Sequence, residues 1–232
     1  NLLTYSRRYT GDWEAGVPTG EGAWTYASGD VYRGAILDGQ RQGAGKCTYA
    51  DGSEYEGGWN LDVWHAGPTD DAAHYRSAAG DRYEGRFLQG VLRGRGSARY
   101  ASGDRYAGEF LGFARHGEGE CTYSGGAAVY AGQWAHDLHK GFGRLSSRRG
   151  EAYEGELRQG KPHGRGVRTS AERVVEDGEF EAGALHGKGQ RRDALGNAWR
   201  GVFVRGVLQG EAECERDGAT YVGSFVDGEY DG

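Results

Sequence analysis

Residues Tyr83 to Arg105 read YEGRFLQGVLRGRGSARYASGDR. With Tyr83 counted as position 0, glycine follows at +2, a large apolar residue at +4, and a glycine pair at +11 and +13. Positions 0, +2 and +4 share a parity, so they line one face of a strand. The residues between them are mostly charged or small, as in the equivalent stretch Glu154, Glu156 and Arg158, and face the other way. A short turn near +7, usually glycine as at Gly16, Gly39, Gly90 and Gly160, separates this strand from a second. In the second strand Gly22, Trp24 and Tyr26 again share a parity, against Ala23 and Thr25. The stretch reads as a β-hairpin with one apolar and one wet face.

The pattern recurs along almost the whole chain. Units begin at Tyr9, Tyr32, Tyr55, Tyr83, Tyr106, Tyr130, Tyr153, Glu176 and Trp199, with a partial unit at Tyr221, about nine and a half repeats of mostly 23 residues. Position +2 is glycine in all ten, and position +4 is always large and apolar. Glycine weakens a strand interior, so its repetition at +2 predicts a neighbouring ring lying across the missing side chain. In five units an aromatic follows at or near +17: Tyr26, Tyr49, Tyr75, Tyr100 and Tyr123. This gives residues 1–8 as an N-terminal flank and 9–232 as a repeat array, with an irregular repeat carrying an insertion at 62–79. There the glycines at +7, +11 and +13 give way to Asp62, Ala66 and Pro68.

A lone hairpin is marginal in water, so the units must stack. The expected fold is all-β: an elongated, single-layer, twisted antiparallel sheet of tandem hairpins, each touching only its neighbours. About nineteen strands at about 4.8 Å each would make a rod on the order of 90 Å long. Composition agrees. Glycine supplies 45 of 232 residues and apolar types only 37%, too little for a deep core, while 6 Trp, 15 Tyr and 7 Phe are far from a disordered composition.

The unit resembles the MORN family (membrane occupation and recognition nexus), whose repeat reads approximately YxGxWxxGxxxGxGxxxxxxGxx. The resemblance covers residues 9 to 232. It implies an elongated sheet with an aromatic groove on its concave side. It further implies a protein-docking scaffold in ciliary, flagellar or other cytoskeletal assemblies, such as a radial-spoke or axonemal component, and hence a cytoplasmic location. Two alternatives accompany it: a tether for acidic phospholipids, or a regulatory module of a larger enzyme.

The groove is expected in the first half, where both strands supply large apolar groups. The candidate partner-binding residues are Trp13, Trp24, Tyr26, Ile36, Tyr49, Trp59, Phe87, Tyr100, Phe110 and Tyr123, exposed because a single layer leaves that face open. An extended or helical segment of another protein suits such a groove. Beyond about residue 145 the +17 aromatic gives way to Ser147, Ser170, Asp193 and Arg216, and the groove is expected to fade.

Net charge of −6, with acids and bases interspersed along the sequence, offers no basic patch and argues against nucleic acid and anionic membrane as partners. No apolar run reaches the length of a membrane-spanning helix. The start at Asn1 and the lack of methionine predict a fragment of a longer chain. The array stops at Gly232 within a unit, which predicts an exposed edge available for a cap or for self-association.

No catalytic site, cofactor site or metal site is expected. The segment GALHGKG at Gly183 to Gly189 lacks the Ser/Thr and helix of a phosphate loop, and its glycine spacing is that of every unit. His116, His163 and His186 all fall at +10, reading as a structural or solvated row. His136, Asp137 and His139, beside His116, form a denser patch that could hold a divalent ion at a subunit contact. Cys47, Cys121 and Cys214 all occupy +15, in units too far apart for disulfides, and read as small packing residues.

Overall fold

The computed structural model describes residues 7–65 and 73–231. Ala66, Pro68 and the middle of the expected insertion at 62–79 lie outside the described residues. The chain divides into two units, Asn1–Arg115 and His116–Gly232.

Each unit is an antiparallel sheet of hairpins. The first contains β1 (Arg7–Glu14), β2 (Val17–Tyr26), β3 (Val31–Leu37), β4 (Gln40–Thr48), β5 (Glu54–Asn60), β6 (Val63–Trp64), β7 (Ala73–Arg76), β8 (Arg82–Leu88), β9 (Val91–Arg99) and β10 (Arg105–Leu111). Strand β11 (Ala114–Tyr123) leads into the second unit. That unit contains β12 (Ala128–Ala135), β13 (Leu138–Ser147), β14 (Ala152–Arg158), β15 (Lys161–Thr169) and β16 (Val175–Glu181). It continues with β17 (Ala184–Arg192), β18 (Ala198–Val204), β19 (Val207–Arg216), β20 (Ala219–Val226) and β21 (Glu229–Tyr230). The one helical element among the described residues is a three-residue 3₁₀ turn, Ser124–Gly126.

The register explains the glycines. Within a hairpin the +2 glycine faces the +13 glycine, and that residue faces the +2 glycine of the next unit. In the second unit this makes an unbroken stripe, Gly119, Gly132, Gly143, Gly155, Gly166, Gly178, Gly189 and Gly201, each opposite the next. Tyrosine rings at position 0 curl over the stripe within their own hairpins. Their hydroxyls donate to the carbonyl at +3: Tyr32 to Ala35 at 2.7 Å, Tyr130 to Gln133 at 2.9 Å, Tyr153 to Glu156 at 2.7 Å. A β-bulge follows the +2 glycine in most hairpins, as between Gly34 and Ile36, and sharpens the local twist.

Position +9 completes the packing, and the sequence pattern gave no sign of it. The hairpin turn folds each +9 side chain onto the aromatic face. Where a position-0 tyrosine does not fill the stripe, +9 is leucine: Leu92, Leu185 and Leu208 approach Gly85, Gly178 and Gly201 instead, and all three are buried. The turn itself is tied to the preceding repeat. The +7 amide donates to the previous +9 carbonyl, Gly39 to Pro18 at 2.9 Å and Gly206 to Leu185 at 2.7 Å. Glycine suits +7 because φ there is positive, +76° at Gly39.

The insertion changes one assignment. Tyr75 pairs with Tyr55 and Tyr83, and Ala73 pairs with Gly85. Tyr75 therefore stands in the +15 row rather than at +17, and Ala73 takes the place of the missing +13 glycine. The place of the +17 tyrosine goes to Ser77, whose amide donates to Asp81 O at 2.8 Å as those of Tyr26, Tyr49 and Tyr100 do in their turns. Cys47, Cys121 and Cys214 are buried in the +15 row and form no disulfide.

Candidate functional site

The ten residues expected to line a groove separate by depth. Trp24, Ile36, Trp59, Phe87 and Phe110 are between 0 and 6% exposed, so they are core. The Trp59 indole donates to Gly45 O at 3.1 Å and stands edge-on to Tyr32 and Tyr55. The expected open face is covered because each hairpin turn brings its +9 residue over the rings. Arg41 lies 4.1 Å from the Trp59 ring centre, and Trp64 stacks on Tyr55 at 4.5 Å with ring planes 5° apart. Trp13 is 59% exposed, edge-on to Tyr9 at 5.2 Å.

What remains accessible in the first unit is a rim. Tyr26, Tyr49 and Tyr100 are half-buried and open matching turns, each amide donating 2.9 Å to the carbonyl four residues on, in Asp30, Ser53 and Asp104. Adjacent units repeat every two strands, about 9.6 Å. Polar anchors fix the rings. The Trp64 indole donates to the Tyr49 hydroxyl at 2.8 Å, and the Arg41 guanidinium lies 5.8 Å from the Tyr26 ring centre. Arg41 is itself held by Asp62, Nε to Oδ1 at 2.8 Å and Nη2 to the carbonyl at 2.9 Å. Burial raises the Tyr26 and Tyr49 phenols above their ordinary value, so both stay neutral near pH 7. The rim offers flat apolar rings backed by a cation, a surface suited to amphipathic side chains.

The second unit differs. Tyr123 is half-buried and hydrogen-bonded to His139 Nε2 at 2.7 Å, while His139 stacks on Tyr130 at 3.7 Å. His116 and His136 stand with ring centres 5.3 Å apart. His139 is thus committed to the aromatic packing, and no group of three metal-ligating side chains converges among the described residues.

Past residue 145 the aromatic face does not flatten. Ser147 and Ser170 leave a trough of about 470 Å³ walled by Leu145, Tyr153, Pro162 and Arg168. Loss of the +17 ring opens space there, lined by Glu151 and Thr169 as well as by the apolar groups. Beside it, Glu176 occupies the ring position and is 5% exposed. Arg168 and Arg191 flank it, donating to its carboxylate through Nε at 2.7 Å and Nη2 at 2.8 Å. Each arginine also caps a turn carbonyl, in Gly183 and Gly206, and leans over the Phe180 or Phe203 ring. An ion triad replaces the stacked rings. The arginines at +15 were the available sequence signal, since they stand opposite Glu176 once the register is known.

A family model described as MORN repeat matches residues 9–31, 32–54, 83–105, 106–128, 130–151, 153–172 and 177–194. No curated protein matches. Among solved structures, the chain is similar to the TCP10 domain of Danio rerio CPAP in complex with a peptide of Danio rerio STIL. That similarity is 14% identity over 94% of this chain and 97% of that one, with a TM-score of 0.48. The same Danio rerio domain without peptide gives 12% identity, coverage of 87% and 93%, and a TM-score of 0.46. The TCP domain of Drosophila melanogaster SAS-4 (dCPAP), in complex with a proline-rich motif of Ana2 (dSTIL), gives 11%, 72% and 93%, and 0.43. No helix among the described residues is long and apolar enough to cross a membrane.

Proposed function

Because this chain belongs to the MORN-repeat family, we propose that it is a non-enzymatic docking scaffold for other proteins in a cytoskeletal assembly, ciliary or flagellar ones included. The observation that carries this reading is the rim of Tyr26, Tyr49 and Tyr100, half-exposed rings held by identical turns on one edge of the first unit. Trp13 extends the same aromatic face toward solvent. The rings stand one repeat apart at Tyr26 and Tyr49 and two repeats apart from Tyr49 to Tyr100, with Ser77 at the turn between, which favours an extended or helical partner segment with apolar side chains at those intervals. Fixed rings lose little entropy on binding, which supports affinity from few contacts. The buried residues of the expected groove support the rim rather than touch a partner.

The phospholipid-tether reading draws less support, because Asp30 and Asp104 stand on the same turns as the rim tyrosines and would repel an anionic surface. Selection of binders from a library of random peptides displayed on phage tests the proposal. Peptides selected on the whole chain should bind a Tyr26→Ala, Tyr49→Ala, Tyr100→Ala variant at least about thirtyfold more weakly, as loss of an aromatic anchor predicts. Equal affinity for a variant that keeps its strand content would remove the rim from the docking site.

A further inference from the structure

The face opposite the rings carries a feature that the linear order of residues conceals. Arg76 stands directly across from Arg82, Arg82 from Arg99, and Arg99 from Arg105. Four arginines on strands β7, β8, β9 and β10 thus form one row, at intervals of about 4.8 Å. All four are exposed. Like charges placed directly opposite across strands repel, so the row opposes the stability of the sheet. Arg86 and Arg95 lie on the same face, also exposed.

Neutralising groups are few. Glu54 reaches Arg76 at 3.6 Å, and Glu109 stands across from Arg95 in the register. Glu84 lies one residue away from Arg82, opposite His74 and Ser97. Among the described residues no carboxylate lies within 4.0 Å of a nitrogen of Arg82, Arg99 or Arg105. The row also borders a shallow hollow of about 230 Å³ into which Arg76, Arg82 and Arg99 face. Lys46 and Glu56 also line the hollow, paired with each other at 3.5 Å, so six arginines and a lysine stand against four glutamates, a positive patch on a chain whose net charge is −6.

We propose that the arginine row is a second docking surface, and that its occupant is a helical segment of a protein partner bearing a line of carboxylates. Spacing supports a helix. Glutamates three and four residues apart on one helix face are about 5 to 6 Å from one another, close to the interval of the row. Each guanidinium can then take one carboxylate in a paired, two-pronged contact. A membrane fits less well. A flat anionic surface would meet Glu54, Glu84 and Glu109 in the same plane as the arginines, whereas a single line of carboxylates runs along the row and past them.

The test uses the whole chain and a synthetic helical peptide with glutamates at i, i+4, i+7 and i+11, a scrambled peptide of equal composition, and vesicles containing phosphatidylserine. The patterned peptide should bind, weakening about tenfold between about 50 and about 300 mM NaCl as screening grows. The double variant Arg82→Gln, Arg99→Gln should bind it at least about tenfold more weakly while its melting temperature holds or rises, because cross-strand repulsion is relieved. The charge-matched control Arg144→Gln, Arg192→Gln should bind like the unaltered chain. Equal binding of the scrambled peptide, an unchanged affinity in the Arg82/Arg99 variant, or binding of vesicles but not peptide would each overturn the proposal.

Discussion

The ring of Tyr32 lies across Gly45, two residues from the point where the two strands cross-pair at Cys47, so that a Cβ built on Gly45 would stand 2.5 Å from a ring carbon. The Tyr32 hydroxyl is pinned to Ala35 O at 2.7 Å, which leaves the ring no room to swing aside. Gly45 has ordinary extended backbone, so a substitution there acts through crowding alone. Gly45→Ala should cost about 1 to 3 kcal/mol in urea unfolding. Gly52→Ala, where φ is +85° and no atom lies within 4 Å of the new Cβ, should cost about 1 kcal/mol through backbone strain. A double-mutant cycle separates the two causes: the Gly45→Ala cost should shrink toward zero in a Tyr32→Ala background. Additive costs would mean that the ring is not what the glycine accommodates.

The Glu176 triad gives a second prediction. Glu176→Gln leaves Arg168 and Arg191 without their counter-ion and should destabilise the second unit. Both arginines keep about a third of their side-chain surface in solvent, so the loss should fall near or below 3 kcal/mol, the lower end for buried pairs. Replacing all three residues together by Leu at 168, Tyr at 176 and Leu at 191 should be neutral or stabilising, since apolar packing then substitutes for the ions. A triple variant less stable than Glu176→Gln alone would show that the triad does more than fill a ring position.

Alkaline pH should loosen the second unit in a defined window. Burial, with Glu118 adding to it, pushes the Tyr130 phenol up to about 12, and burial pushes Tyr153 to about 12 as well. In the unfolded chain both ionise near the ordinary value of 10.0. A folded value above the unfolded one means the stabilisation is fully present below pH 10 and is lost as pH rises toward 12. Unfolding free energy measured across that range should fall, with tyrosinate absorbance appearing late and together with loss of strand signal. Phenolate absorbance rising near pH 10 with the fold intact would contradict the buried placement.

Much of this architecture was legible because its determinants are local and periodic. Glycine at +2 and an apolar residue at +4 recur in every unit, so parity alone gave the hairpin, its faces and the ring over glycine. Determinants that exist only after strands pair were not legible. Position +9 runs through Pro18, Arg41, Trp64, Leu92, His139 and Pro162, with no common chemistry, and its role as a lid emerges from the turn that carries it. The arginine row spans residues 76 to 105 and looks interspersed with glutamates until register places its members opposite one another. The insertion likewise moved Tyr75 from rim to row, because five extra residues change which +n is which. Sequence therefore overstated the open groove, understated the charged face, and missed the trough opened by Ser147 and Ser170.

The rim itself should depend on its backing. Asp62→Ala removes the carboxylate that holds Arg41 at 2.8 Å and frees the guanidinium near Tyr26 and Trp59. A loss of about 1 to 3 kcal/mol in stability is expected, as for a hydrogen bond to a charged group. Asp62 also has φ of +66°, so Asp62→Gly is the better probe: it relieves the backbone while deleting the contact, and should cost less than Asp62→Ala. An Asp62→Gly variant as stable as the unaltered chain would assign Asp62 its importance through conformation rather than through Arg41.

The most direct test of the docking proposal is hydrogen–deuterium exchange of the whole chain with and without a peptide selected on it. Docking on the tyrosine rim predicts added protection at the turns that follow Tyr26, Tyr49 and Tyr100, with the second unit unchanged. Protection confined to β13 through β16, or to the arginine-bearing strands β7 to β10 without the rim turns, would contradict it.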